Sequence, residues 1–159
     1  MSLRIRAAGP NDAEVIFAFI VALAIYEKEP DAVEVSAAEL RAQLEQTTPP
    51  FECLIAEAAG EAVGFALFFH NYSTWRGRRG LYLEDLFVPT EWRGRGYGAA
   101  LLRELARIAK SRGCARMEWA VLDWNQPAID FYRSLGATPL AQWCIFRLTG
   151  PALDALAIA

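Results

Sequence analysis

The run Arg93-Gly94-Arg95-Gly96-Tyr97-Gly98 follows an apolar, strand-like stretch and precedes an amphipathic helix. Alternating glycines leave backbone N–H groups unshielded, and a helix start adds orphan donors and the positive end of its dipole. Such a run can seat a phosphate or pyrophosphate. It is not a P-loop, because Ala99, Ala100 and Leu101 stand where Lys and Ser or Thr would reach the outer phosphates and magnesium. It does not fit a dinucleotide fingerprint either, since Gly94, Gly96 and Gly98 alternate strictly and lie past mid-chain. A second reading fits the glycines equally well: a tight strand-to-helix turn whose arginines face water.

The flanking segments narrow the choice. Upstream lies Leu81-Tyr82-Leu83-Glu84-Asp85-Leu86-Phe87-Val88-Pro89. Downstream, Val121-Leu122-Asp123-Trp124-Asn125-Gln126-Pro127-Ala128-Ile129-Asp130-Phe131-Tyr132 leads to Gly136-Ala137. With the loop, this assembly resembles the GNAT N-acetyltransferase superfamily, whose pyrophosphate loop reads Arg/Gln-x-x-Gly-x-Gly/Ala and is matched here by Arg93, Gly96 and Gly98. It is most similar to the diamine (spermidine/spermine) acetyltransferase branch and its thialysine acetyltransferase relatives. That likeness rests on Tyr82-Leu83-Glu84-Asp85, on Tyr72-Ser73-Thr74-Trp75, and on Asp123-Trp124-Asn125-Gln126 with Tyr132. It extends from about Leu3 to about Leu148.

The resemblance implies an α/β (α+β) fold: a mixed, mostly antiparallel central sheet with helices on both faces, in one domain over residues 1–159. It also implies acetyl-CoA as cosubstrate, no metal, and direct transfer to a primary amine. Arg93, Gly94, Arg95, Gly96, Tyr97, Gly98 and Ala99 would cradle the pyrophosphate. Strand edges at Leu86, Phe87 and Val88 would pair with the pantetheine amides, and Asn125 and Tyr132 would contact the cofactor arm. Helix-end contributions of about 0.3–1 kcal/mol each mean that affinity needs several N–H contacts together.

The chemistry sets two further needs. A lysine-like ammonium has a pKa near 10.4, so less than about one part in a thousand is free base at pH 7. Glu84 is the first choice for helping to remove that proton through water. Asp85 would face the opposite side of a regular strand and shares the site only if the strand bulges, as the family's does. The departing thiolate needs a proton, and Tyr132, a phenol of ordinary pKa about 10, is the family's general acid. The bland alternatives are a solvated strand acid for Glu84 and a buried helix face for Tyr132, alongside Phe131 and Leu135.

Glu27, Trp75, Glu84 and Asp85 occupy places that line the amine site in the resembled enzymes. Polyamine-specialised relatives carry an acid where this chain has Ser73, which implies a lysine-analogue or diamine rather than a long polyamine. Two other functions compete: acetylation of a protein lysine or N-terminus, and a CoA-binding module without turnover. A homodimer is also implied, with Trp143–Phe146 as one contact.

The bulk properties agree. The chain has 159 residues, 54% hydrophobic and 12% aromatic, which gives enough apolar material for a folded core. A net charge of −3 argues against nucleic acid held by bulk electrostatics and is compatible with a cationic substrate. Cys53, Cys114 and Cys144 form no metal-ligand or disulfide pattern, which points to a reducing cytoplasm, and none has a local base for an acyl relay. His70 stands alone as a strand-end residue. The apolar run from Val15 to Tyr26 is too short to cross a bilayer, which takes about twenty residues, so no membrane partner is expected.

Periodicity supplies the positioning elements. Leu3–Arg6 reads as a strand, and Pro10-Asn11-Asp12 as the start of an apolar helix through about Glu27. Ser36 caps a shorter helix ended by Pro49-Pro50, and Glu52–Glu57 with Ala62–His70 form a hairpin. A Tyr72–Arg79 loop precedes the Leu81–Val88 strand, and the next helix carries a stripe from Leu101 to Ala109 and stops at Gly113. Met117–Leu122 and Trp143–Leu148 read as strands flanking a helix capped by Asn125 and closed by Gly136.

Overall fold

Alternating apolar residues build one five-stranded sheet in the computed structural model, which describes residues 2–159. Strands β1 (Leu3–Ala7), β2 (Glu52–Ala58), β3 (Glu61–Ser73), β4 (Arg78–Phe87) and β5 (Met117–Glu118) lie side by side in chain order. All neighbours are antiparallel except β4 and β5. The sheet is therefore mixed and mostly antiparallel, as expected.

Period-two alternation sends the two sets of side chains to opposite faces. Cys53, Ile55, Phe65, Leu67 and Phe87 meet Ile16 and Phe19 of α1 (Ala13–Tyr26) and Leu40 of α2 (Ala37–Leu44). Phe19 stacks on Phe65 at 5.3 Å between centroids and meets Phe87 edge-on at 6.3 Å. Leu54, Ala56, Ala66, Phe68 and Leu83 are buried on the other face, under Leu101, Leu102, Leu105 and Ala109 of α3 (Tyr97–Ser111). Phe65 and Phe68, one on each face, contribute roughly 1.5–3 kcal/mol apiece by burial. A one-residue slip would reverse both faces, so this burial fixes the register.

Gly64 lets the layers close: a Cβ there would sit 3.0 Å from the Phe87 carbonyl oxygen and 3.4 Å from Leu101 Cδ1. α2 begins with a reciprocal cap, Ser36 Oγ accepting from the Glu39 N–H and Glu39 Oε2 from the Ser36 N–H. Asp12 stands at the N-cap of α1 but does not cap it with its side chain. It accepts from the Gly9 N–H at 2.8 Å and from both terminal nitrogens of Arg6, so a short 3-10 turn precedes the helix.

Several boundaries differ from expectation. The Tyr72–Arg79 loop shrinks to Thr74–Gly77, because Tyr72 pairs with Arg79 and Ser73 with Arg78 in the ladder. α2 ends at Leu44, before the prolines. β5 spans only Met117–Glu118 rather than reaching Leu122, pairing with Leu81 and Tyr82 of β4.

The contacts divide into two units, 1–120 and 121–159. The second holds α4 (Gln126–Ser134) and α5 (Gly150–Ala157). Asn125 caps α4, accepting from the Ala128 N–H at 3.4 Å, and the Ala137 N–H closes onto the Tyr132 carbonyl past Gly136. The expected Trp143–Leu148 strand is not formed; residues 143–148 are irregular. Helix α5 was not expected, although Pro151 near a helix start, with Leu153 and Leu156 following at helical spacing, carries the signal.

Candidate active site

A bulge in β4 decides which carboxylates share a site. Leu67 pairs with Asp85 and the next residue, Phe68, pairs with Leu83, so Glu84 is the extra residue. Asp85 therefore lies on the α1 face, two residues from Phe87, while Glu84 is exposed. Burial, then the charges of Glu84 and Glu27, push Asp85 up to about 6. Burial also raises Glu27, which stands at the C-cap of α1, where unpaired helix carbonyls already favour a cation. None of the described residues donates a hydrogen bond to Asp85. A half-buried, unpaired carboxylate beside two others is a place for an ammonium.

The same strand prepares a backbone edge. The β4–β5 ladder ends at Tyr82, just before the bulge, so within the 1–120 unit no strand pairs with that edge of Leu86 and Phe87. The Val88 carbonyl is occupied, accepting from Arg93 Nε at 2.8 Å. The Phe87 side chain belongs to the core, so only its backbone can serve a ligand.

Beyond Pro89 the chain turns through the glycine loop into α3. Gly94 and Gly96 adopt φ of +74° and +81°, which side chains resist. Gly96 is the N-cap and has no side chain to satisfy the helix start. The first helical bond is Ala100 N–H to the Gly96 carbonyl, leaving the N–H groups of Tyr97, Gly98 and Ala99 as the orphan donors of the first turn. A Cβ at Gly94, Gly96 or Gly98 would meet nothing within 4 Å, so the space above these donors is open. That geometry fits a pyrophosphate. The loop arginines turn aside instead: Arg93 lies over the Tyr26 ring at 4.5 Å and Arg95 over Trp92 at 4.8 Å. Tyr97 is buried, its ring 6.4 Å from that of Trp92. The seat is thus made of backbone and braced by cation–π contacts.

An apolar cleft of about 560 Å³ lies between α1 and the start of the glycine loop, with Ile25, Tyr26, Phe87 and Arg93 among its walls. Two expected neighbours are elsewhere. Trp75 stands 90% exposed at the β3–β4 hairpin tip, and Glu84 lies six residue steps along the strand from Arg78, roughly 20 Å. The longer hairpin carries Trp75 away from the carboxylates of its own chain. Ser73 is buried, and its hydroxyl accepts from the Arg76 N–H at 3.2 Å, so it holds the turn rather than lining the amine site.

In the 121–159 unit, Asn125 is the α4 cap and Tyr132 lies on that helix, its ring 5.6 Å from Phe131. Of the cysteines, burial pushes the Cys53 thiol up, the opposite of what a nucleophile needs. Among the described residues no group of three His, Cys, Asp or Glu side chains could hold a metal ion, and no helix is long and apolar enough to cross a membrane.

The chain is similar in sequence and in fold to known proteins. The sequence model of the acetyltransferase (GNAT) family matches residues 20–137. The thialysine N-epsilon-acetyltransferase of Bos taurus is 42% identical over 164 residues, 96% of each chain. The spermidine/spermine N(1)-acetyltransferase-like protein 1 of Homo sapiens is 38% identical over 154 residues, 91% of this chain and 22% of that one. Among solved structures, an integron cassette protein from the mobile metagenome of V. cholerae superposes with a TM-score of 0.83 at 26% identity, covering 100% of this chain and 99% of its own.

Proposed function

This chain belongs to the acetyltransferase (GNAT) family, and we propose that it moves the acetyl group of acetyl-CoA directly onto a primary amine of a small cationic substrate. The substrate is of the thialysine or lysine-analogue, diamine or polyamine class, with the first preferred. The observation that carries this reading is the carboxylate cluster formed by Glu27 at the end of α1 with Glu84 and Asp85 on the strand that leads into the glycine loop. The likeness to thialysine acetyltransferases over nearly the whole chain supports the substrate class. Ser73, engaged in its turn, lends no support to that preference.

Acetyl-CoA supplies a thioester whose carbonyl carbon the amine attacks. The Tyr97, Gly98 and Ala99 N–H groups bind its pyrophosphate, and the open edge at Leu86 and Phe87 binds its amide arm, with Asn125 as a further contact. Glu27 and Asp85 orient the ammonium, while Tyr26 and Ile25 give its aliphatic stem an apolar wall. Glu84 helps the proton leave through water. Tyr132 gives a proton to the sulfur as the C–S bond breaks. Residues 1–159 act as one domain in this reading, which the family match across the 120/121 boundary supports. The chain works as a homodimer, and its three unpaired cysteines fit the cytoplasm. A monomer in sedimentation at micromolar concentration would refute the dimer.

The test is mass-spectrometric detection of acetylated product from acetyl-CoA with thialysine, lysine, diaminopropane, putrescine, spermidine and a lysine peptide. Turnover on a small amine, lowered about 10²–10⁴-fold in Tyr132→Phe, is expected. Product from the peptide alone would assign a protein acceptor. Calorimetric binding of acetyl-CoA without any product would assign a non-catalytic module.

A further inference from the structure

Glu84 and Asp85 are neighbours in sequence with unequal surroundings. The bulge leaves Glu84 exposed to solvent. Asp85 lies on the face that α1 covers, opposite Leu67, without a hydrogen-bond donor among the described residues. We infer that Asp85 is the group that takes the proton from the substrate ammonium, with Glu84 passing it on to water. This rests on the amine-acetylation reading above.

The physical warrant is driving force. Proton transfer is most effective when acceptor and donor are matched, and an ordinary carboxylate is far too weak a base for an ammonium. Desolvation and two carboxylate neighbours bring Asp85 to about 6 from the usual 3.8, narrowing that gap roughly a hundredfold. The charges acting on Asp85 are Glu84 on its own strand and Glu27 on α1. On β2, the Cys53 thiol feels the Asp85 charge and is kept protonated by burial.

The protons balance. The ammonium gives one proton to Asp85, and its freed electron pair forms the N–C bond as the C–S bond breaks. The amide nitrogen then loses a second proton, which replaces the one that Tyr132 hands to the sulfur. Asp85 releases the first proton through water beside Glu84. The products are the N-acetyl amine, the CoA thiol and one proton.

The pH dependence of kcat/KM separates the roles, run alongside calorimetry of diamine binding without acetyl-CoA over the same pH range. The wild-type protein should lose kcat/KM on the acid side with a midpoint near 6. Glu27→Gln and Glu84→Gln should each move that midpoint to lower pH, because each removes a charge that raises Asp85. Asp85→Asn should lower kcat/KM by about 10²–10⁴-fold, abolish the acid limb and remove the matching pH step in diamine binding. An acid limb unchanged in Asp85→Asn, or abolished in Glu84→Gln instead, would overturn the assignment while leaving acetyl transfer standing. Failure of the wild-type protein to acetylate any amine would instead overturn the functional reading beneath it.

Discussion

The glycine loop and two of the three clustered carboxylates, Glu84 and Asp85, lie at the ends of one short stretch, Glu84 to Ala99, and the two seats are built by opposite means. The loop seat is almost all backbone: left-handed glycines, orphan N–H groups and an open strand edge, with its arginines stacked on rings. The amine seat is all side chain: three carboxylates, one half-buried and unpaired. A backbone seat suits a cosubstrate shared by a whole family, because it depends on chain path and tolerates varied side chains. A side-chain seat suits the variable acceptor, because single substitutions retune its charge.

That contrast can be broken at Gly98. Its backbone is helical and its surroundings open, so Gly98→Leu meets no strain and gains helix propensity. If the seat is backbone, acetyl-CoA affinity falls about 10–100-fold by calorimetry while Tm does not drop, since hydrogen bonds to a charged group carry about 1.5–3 kcal/mol. A mere strand-to-helix turn would show the Tm result and no loss of binding.

At the other end the expected effect is on stability. Asp85 has a folded value near 6, above its ordinary 3.8, so the folded protein holds a proton that the unfolded chain releases between those values. Its favourable contribution is full below about pH 4 and is lost as pH rises through 6. Asp85→Asn should therefore stabilise the protein at pH 7.5 by about 1–2 kcal/mol after allowance for solvent screening, or about 3–6 °C in Tm. The gain should shrink towards pH 4, which thermal melts at both pH values will check.

The smallest effect sharpens the account of the loop. Arg93 lies over Tyr26 and Phe87 and donates to the Val88 carbonyl. Arg93→Lys keeps the charge and loses the planar stack, and should weaken acetyl-CoA binding only about three- to tenfold. A loss as large as that of Gly98→Leu would mean that the guanidinium itself grips phosphate.

Legibility in the sequence follows the same division. The loop could be read because glycine spacing determines chain path, and the sheet because Val63–Phe68 is apolar on both faces. The choice between Glu84 and Asp85 could not be read, since it turns on a single extra residue in β4 that no local pattern marks. The position of Trp75 is illegible for a related reason: Tyr72 and Arg79 look like loop residues, yet they pair and lengthen the hairpin. Trp143–Leu148 has the composition of a strand, yet residues 143–148 are irregular, because strand propensity depends on context that composition does not carry.

The most direct test of the two-seat account is a nuclear magnetic resonance titration following backbone amides and side-chain carboxyl carbons together, first with CoA and then with a diamine. The account predicts that CoA shifts the Tyr97, Gly98 and Ala99 amides, and that the diamine shifts the Glu27 and Asp85 carboxyl carbons. Saturating CoA that leaves those amides unmoved, or a diamine that moves Glu84 but not Asp85, would contradict it.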